Sequence, residues 1–77
     1  MHPLQTAFGR VVRRRREAAG ISQEGLAERA GLHRNSVGLM ERGLRMPTIL
    51  VAQQLAAALG TTLSELLAGV EADGGGA

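Results

Sequence analysis

Residues 23–42 read QEGLAERAGLHRNSVGLMER, and the fold follows from how this stretch is punctuated. Ser22, just before it, is a good N-cap residue, and Leu26, Ala27 and Ala30 give the segment that follows one apolar face. Gly31 ends that segment with the residue type suited to a left-handed cap. A second helix is expected almost at once, from about His33 to Arg42, with Val37 and Met40 inward and Gly43 closing it. So short a turn does not let the two helices run antiparallel, and a steep crossing is expected. Such a crossing needs a small residue where the helices approach, and Ala27 holds that place. Leu26, Ala30, Leu32, Val37 and Met40 lock the second helix on the first. Gly25 is the weak point, unfavourable by about 1 kcal/mol against alanine.

The same punctuation divides the rest of the chain. Leu4, Phe8 and Val12 recur at i+4 with Val11 beside them, which predicts a helix over about residues 4–19. The next position on that stripe is Arg16, a charge on a buried face. Pro47 and Thr48 open a helix that carries Ile49, Ala52, Leu55, Ala56 and Leu59, and Gly60 ends it. Thr62-Leu63-Ser64-Glu65 fits a capping box and starts a last helix with Leu63, Leu66, Leu67 and Val70. The expectation is an all-α, compact five-helix domain over residues 1–70 containing a helix-turn-helix. Residues 71–77, with three consecutive glycines, are expected as a disordered glycine-rich tail with too little apolar surface to fold.

Composition agrees. Seventy-seven residues allow one domain. A chain of this size buries only about 60% of the surface it exposes when unfolded, so its core is marginal. With no cysteine, disulfides cannot compensate, and the two imidazoles, His2 and His33, are too few for a zinc site. No metal or other cofactor is expected. Phe8 is the only aromatic residue, which argues against a β fold. What remains is tight helix packing, oligomerisation, or both. No apolar run approaches the roughly 18 residues of a membrane span, and the N-terminus lacks the order of a secretory signal, so a cytoplasmic location and no membrane partner are expected.

Charge is divided along the chain. Residues 1–47 hold all nine arginines and four acids, for a net +5, and residues 48–77 hold three acids and no base, for −3. One half is suited to a polyanion. The absence of lysine fits GC-rich coding as well as selection for guanidinium chemistry. Catalysis is poorly served: the one aspartate, Asp73, sits in the tail, and Ser22, Ser36 and Ser64 have no evident base. No phosphate-cradling glycine loop is present. The chain does not read as an enzyme. The outward face of the third helix carries Arg34, Asn35, Gly38 and Arg42. Arginine and asparagine are the side chains best suited to bidentate reading of guanine and adenine edges, and beside the steep turn this favours DNA over a merely solvated face.

The run GISQEGLAERAGLHRNSVGLMERGLRMPT, followed by LAAALGTTLSELL, resembles the lambda repressor/Cro type of helix-turn-helix, the xenobiotic-response-element family, over about residues 8–68. The resemblance implies a five-helix domain that binds double-stranded DNA operators as a symmetric dimer. It implies that Gln23 bonds a phosphate and that Arg34 and Asn35 reach base edges. Leu39 stands where a polar base reader is common and can offer only apolar contact. His33 and Ser36 would flank the readers and touch the DNA backbone, at sugar or phosphate, or a thymine methyl. Arg42 and Arg45 would meet the DNA backbone, with Arg10 and Arg13 as further candidates. Arg16 and Glu41 match an internal ion pair, in agreement with the place of Arg16 on the buried stripe. Gly25, Gly38 and Leu44 depart from the common pattern.

The function expected is a stand-alone sequence-specific transcription regulator, a repressor or autoregulator, on a palindromic operator. The alternatives are an antitoxin-type interaction module and a restriction–modification controller. No small-molecule ligand is expected. The last two helices carry surplus apolar residues, and Leu50, Val51, Leu63, Leu66 and Val70 are the expected homodimer interface.

Overall fold

The structure is a computed structural model, and it describes residues 2–75. Five helices follow one another: α1 (Pro3–Ala18), α2 (Gln23–Ala30), α3 (Arg34–Glu41), α4 (Ile49–Ala58) and α5 (Leu63–Val70). No strand occurs among the described residues. Each helix starts on a side chain that accepts a backbone N–H: His2, Ser22, His33, Thr48 and Thr62. These caps satisfy donors that the first helical turn leaves unpaired.

The α2–α3 turn is closed by Gly31 at φ 72°. Gly31 N–H donates to the Glu28 carbonyl and Leu32 N–H to the Ala27 carbonyl at 2.8 Å, the paired bonds of a Schellman motif. The same pair of bonds ends α1, α3 and α4 at Gly20, Gly43 and Gly60. Leu32, the residue after the turn, packs back on the core and fixes the angle at which α3 leaves.

All five helices contribute to one core. Phe8 and Val12 of α1, Leu26 of α2, Val37 and Met40 of α3, Leu55 of α4, and Leu66 and Val70 of α5 are its fully buried large residues. Each is worth about 1.5–3 kcal/mol of apolar transfer. Ala27 is buried at the α2–α3 crossing, as its size requires. Gly9 has a different role. A Cβ there would collide with the backbone carbonyl of Met40 and stand 2.6 Å from that of Glu41, so α1 rests directly on the end of α3. Gln5 Nε2 donates to the Gly43 carbonyl at 2.8 Å beside this contact.

Three expectations need correction. Ile49 does not belong to the buried stripe of α4: it is 76% exposed, and the stripe starts at Ala52, because nothing packs over the first turn. Leu66 and Val70 cannot form a dimer surface, being 0% and 1% exposed. Spaced four apart, they form the core-facing side of α5, and Leu67 is the one that faces outward. Finally, the segment after α5 continues through Glu71–Asp73 on to α1 and leaves helical geometry at Gly74, φ 97°. It is held by charge rather than by apolar area. Asp73 pairs with Arg10 and with Arg14, each at 2.8 Å. The two guanidinium groups, Arg14 first, hold its carboxyl below the usual aspartate range. The remainder of the expected tail, residues 76–77, lies outside the described residues.

No single helix among the described residues is long and apolar enough to cross a membrane.

Candidate nucleic-acid interface

The N-terminus of α2 and the outward face of α3 form one concave surface. Ser22, Gln23 and Glu24 line it from α2, and Arg34, Asn35, Gly38, Leu39 and Arg42 from α3, with Arg16 reaching its edge. The α2 terminus contributes a positive dipole end.

Behind this surface lies a three-helix junction. Arg16 Nε donates to Glu41 Oε2 at 2.6 Å, and Nη2 to Oε1 at 3.0 Å, a bidentate pair. The side chains are 12% and 2% exposed. Arg16 Nη1 donates to the Ile21 carbonyl at 2.9 Å, which ties α1 to the α1–α2 turn. The Glu41 hydrogen bonds push the Arg16 pKa above its ordinary value, so the guanidinium is charged at every accessible pH. Gln23 Nε2 completes the junction, donating to Glu41 Oε1 at 3.0 Å. Gln23 is thus anchored from behind, and its second amide proton has no protein acceptor among the described residues. The Gln23–Glu41 bond was not foreseen; the resemblance gave Gln23 only an outward role.

His33 stands one residue before α3 rather than inside it. Its Nδ1 accepts the Asn35 N–H at 3.2 Å, so it is the cap of α3. Asn35 is exposed at the first turn, and its side chain is free of protein hydrogen bonds among the described residues. Arg34 is exposed too, with Nη1 3.8 Å from Glu24 Oε2. Gly38 faces Gln23: a Cβ there would meet the Gln23 amide at 3.6 Å, an ordinary contact, so packing does not require this glycine. Leu39 is half-buried beside Asn35 on the same surface. Arg42 stays near its own helix, Nε donating to the Gly38 carbonyl at 3.3 Å. Arg45 Nη1 donates to Ser36 Oγ at 3.1 Å and fastens the α3–α4 loop to α3.

Two expected backbone contacts stand apart from this concavity. Arg10 is committed to Asp73, and Arg13 forms an exposed pair with Glu17, one turn on, at 3.4 Å. Charge alone does not single out a phosphate contact; the run Arg13–Arg16 divides among three different partners and one arginine, Arg15, with none among the described residues.

Two short helices crossing at a glycine turn, with arginine and asparagine displayed at the start of the second, define a helix-turn-helix DNA-binding domain. The chain belongs to the helix-turn-helix family of the xenobiotic-response-element type, whose model matches residues 12–66. It is a DNA-binding transcription regulator, and the family is one of regulators and not of enzymes. The control protein C.MunI of a Mycoplasma species is 32% identical over 72 residues, covering 92% of this chain and 97% of that protein. The control protein C.SmaI of Serratia marcescens is 45% identical over 56 residues, covering 73% and 67%. The crystal structure of the restriction–modification controller protein C.AhdI of Aeromonas hydrophila superposes with a TM-score of 0.78 at 42% identity, over 80% of this chain and 94% of that one.

Proposed function

We propose that the chain is a cytoplasmic operator-binding regulator that acts as a homodimer on a palindromic site. Arg34 and Asn35 read base edges in the major groove, and Leu39 adds apolar contact. Gln23, Arg42 and Arg45 grip the phosphates, with His33 and Ser36 at the margin of the contact. The observation that carries this reading is the convergence of Gln23, Arg34, Asn35 and Arg42 on one concave surface. Arg10 is left out of the grip because Asp73 neutralises it.

The homodimer surface is drawn anew. Ile49 and Leu50 are 76% and 63% exposed on the first turn of α4, and Leu44 and Met46 are exposed on the loop before it. Val51 and Leu63 pack against the core and contribute only at the edge. A cluster of exposed large apolar residues on so small a domain is the usual mark of an interface. Occupancy set by the abundance of a dimer suits an autoregulator. Likeness to control proteins along most of the chain supports a controller of a restriction–modification system over a toxin-neutralising module.

The test is binding to a randomised operator library at several salt concentrations. Arg34→Ala should lose about 1–3 kcal/mol on the preferred site and relax the preference at one base position. Arg42→Ala should weaken all sequences alike and flatten the salt slope by about one unit. The same uniform loss from both variants would show that α3 does not read bases.

A further inference from the structure

Glu24 is the one carboxylate among the residues lining the concave surface. Its position is costly for a protein that binds a polyanion. The side chain is exposed, beside the α2 terminus that would otherwise attract phosphate, and every bound duplex brings negative charge toward it. A solvated glutamate serves solubility equally well on the far side of the domain. Here it stands 3.8 Å from Nη1 of Arg34, close enough for charge pairing and beyond hydrogen-bond range.

The contact involves one corner of the guanidinium. Among the described residues no acceptor bonds Nε or Nη2 of Arg34. These two nitrogens carry one of the guanidinium's two parallel N–H pairs, and it matches the O6 and N7 acceptors of guanine. A carboxylate at Nη1 therefore restrains the arginine from one side and leaves its reading edge free. It also opposes the competing use of Arg34. A long, flexible arginine at the rim of a groove can swing to the nearest phosphate, where it adds affinity and no specificity. Beside Glu24 that swing separates two opposite charges and leaves the carboxylate unpaired near the DNA.

We infer that Glu24 is a specificity-determining positioning residue: it holds Arg34 toward guanine and penalises sites where Arg34 finds none. The inference rests on Arg34 being a base reader. Glu24 itself touches no base. Its effect is carried through the orientation of Arg34 and through repulsion of phosphate, so its removal makes the protein bind more tightly and less selectively.

The experiment compares the intact protein with Glu24→Gln and Glu24→Ala on the randomised operator library, with Arg34→Ala and the double variant Glu24→Ala/Arg34→Ala alongside. Binding to non-operator DNA at low salt should tighten by about two- to fivefold in both Glu24 variants, because a like charge has gone. The preference at the Arg34 position should fall by about three- to tenfold in Glu24→Ala, a part of what a bidentate contact supplies. It should fall less in Glu24→Gln, whose amide oxygen keeps a partial negative charge beside Nη1. The preference at the Asn35 position should not change. In the Arg34→Ala background, Glu24→Ala should leave base preferences untouched. A uniform gain in affinity with the base profile of the intact protein would make Glu24 a surface charge and overturn the inference while leaving Arg34 a reader. If Arg34→Ala itself leaves the profile of the intact protein unchanged, base reading by Arg34 fails, and this inference fails with it.

Discussion

Replacing Glu41 with alanine removes the acceptor of three hydrogen bonds at once, from Arg16 Nε, Arg16 Nη2 and Gln23 Nε2. The guanidinium stays where it is, because the aliphatic part of Arg16 is packed and its side chain is only 12% exposed. It keeps one protein acceptor, the Ile21 carbonyl. A buried charge stripped of its partner costs about 3–5 kcal/mol. A 77-residue domain has about 4–12 kcal/mol in all, at roughly 0.05–0.15 kcal/mol per residue. The substitution should therefore remove about a quarter or more of the stability. With a urea m-value of about 1 kcal/mol per molar, the midpoint falls by about 3 M or more.

The assay is urea unfolding followed by far-ultraviolet circular dichroism, since the chain has neither tryptophan nor tyrosine for fluorescence. Glu17→Ala is the control. It removes an exposed partner of Arg13 and should cost about 0–1 kcal/mol. Replacing both members, Arg16→Met with Glu41→Leu, should recover most of the loss, because no charge is left stranded. A Glu41→Ala loss under about 1 kcal/mol would refute the reasoning: the junction would then be solvated in solution, and Arg16, already at the edge of the concavity, would become a candidate phosphate contact.

Gly9→Ala should destabilise by about 1–3 kcal/mol or more, because its methyl meets backbone carbonyls of α3 rather than a movable side chain; a thermal melt measures this. Leu66→Ala should cost about 2–5 kcal/mol of folding stability with no specific weakening of association, whereas Leu50→Glu should break the dimer in sedimentation and leave the melt nearly unchanged. The Asp73 carboxyl should titrate below its ordinary value of 3.8 when followed by NMR. Because the folded-state pKa is lowered, its contribution to docking Glu71–Gly75 on α1 is complete above that ordinary value and is lost as pH falls through the lowered one. Asp73→Asn should abolish this acid-linked release.

The parts of the fold that were legible in the sequence are those with a local cause. Gly31, Ser22 and the Thr62–Glu65 box fix helix ends through bonds a few residues long, and each stands where the sequence puts it. Arg16 was legible for a different reason: a charge at the fourth position of an apolar stripe must find a partner. What was not legible depends on distance in the chain. Nothing local marks Gly9, whose missing side chain matters only because α3 lies on it. Nothing in EADGGG announces that Asp73 returns to Arg10 and Arg14, more than fifty residues earlier. Ile49 and Leu66 are both apolar at helical spacing, and only the packed neighbours decide that one is exposed and the other buried. In the concave surface, residue types pointed to Arg34 and Gln23 as proposed DNA contacts, but their neighbours, Glu24 beside Arg34 and Glu41 on Gln23, required the angle between α2 and α3.

That angle also connects gripping to assembly. The seven residues from Arg42 to Thr48 carry two proposed phosphate contacts, Arg42 and Arg45, and two of the exposed apolar residues, Leu44 and Met46. The loop is not free to move independently of α3. Gly43 is buried and its carbonyl accepts from Gln5, Leu44 N–H donates to the Leu39 carbonyl at 2.8 Å, and Arg45 donates to Ser36. A partner seated on Leu44, Met46, Ile49 and Leu50 is thereby placed rigidly with respect to the reading helix. The two α3 helices of a dimer would then keep one separation, set by the fold rather than by the DNA. Half-sites about 34 Å apart, one turn of the duplex, bring both into successive major grooves on one face. A single inserted base pair between half-sites moves the second groove by about 3.4 Å and turns it by a tenth of a turn, which this loop cannot follow. Tolerance of such an insertion would mean that association and reading are joined by a flexible element, against the bonds that fasten residues 43–45 to α1 and α3.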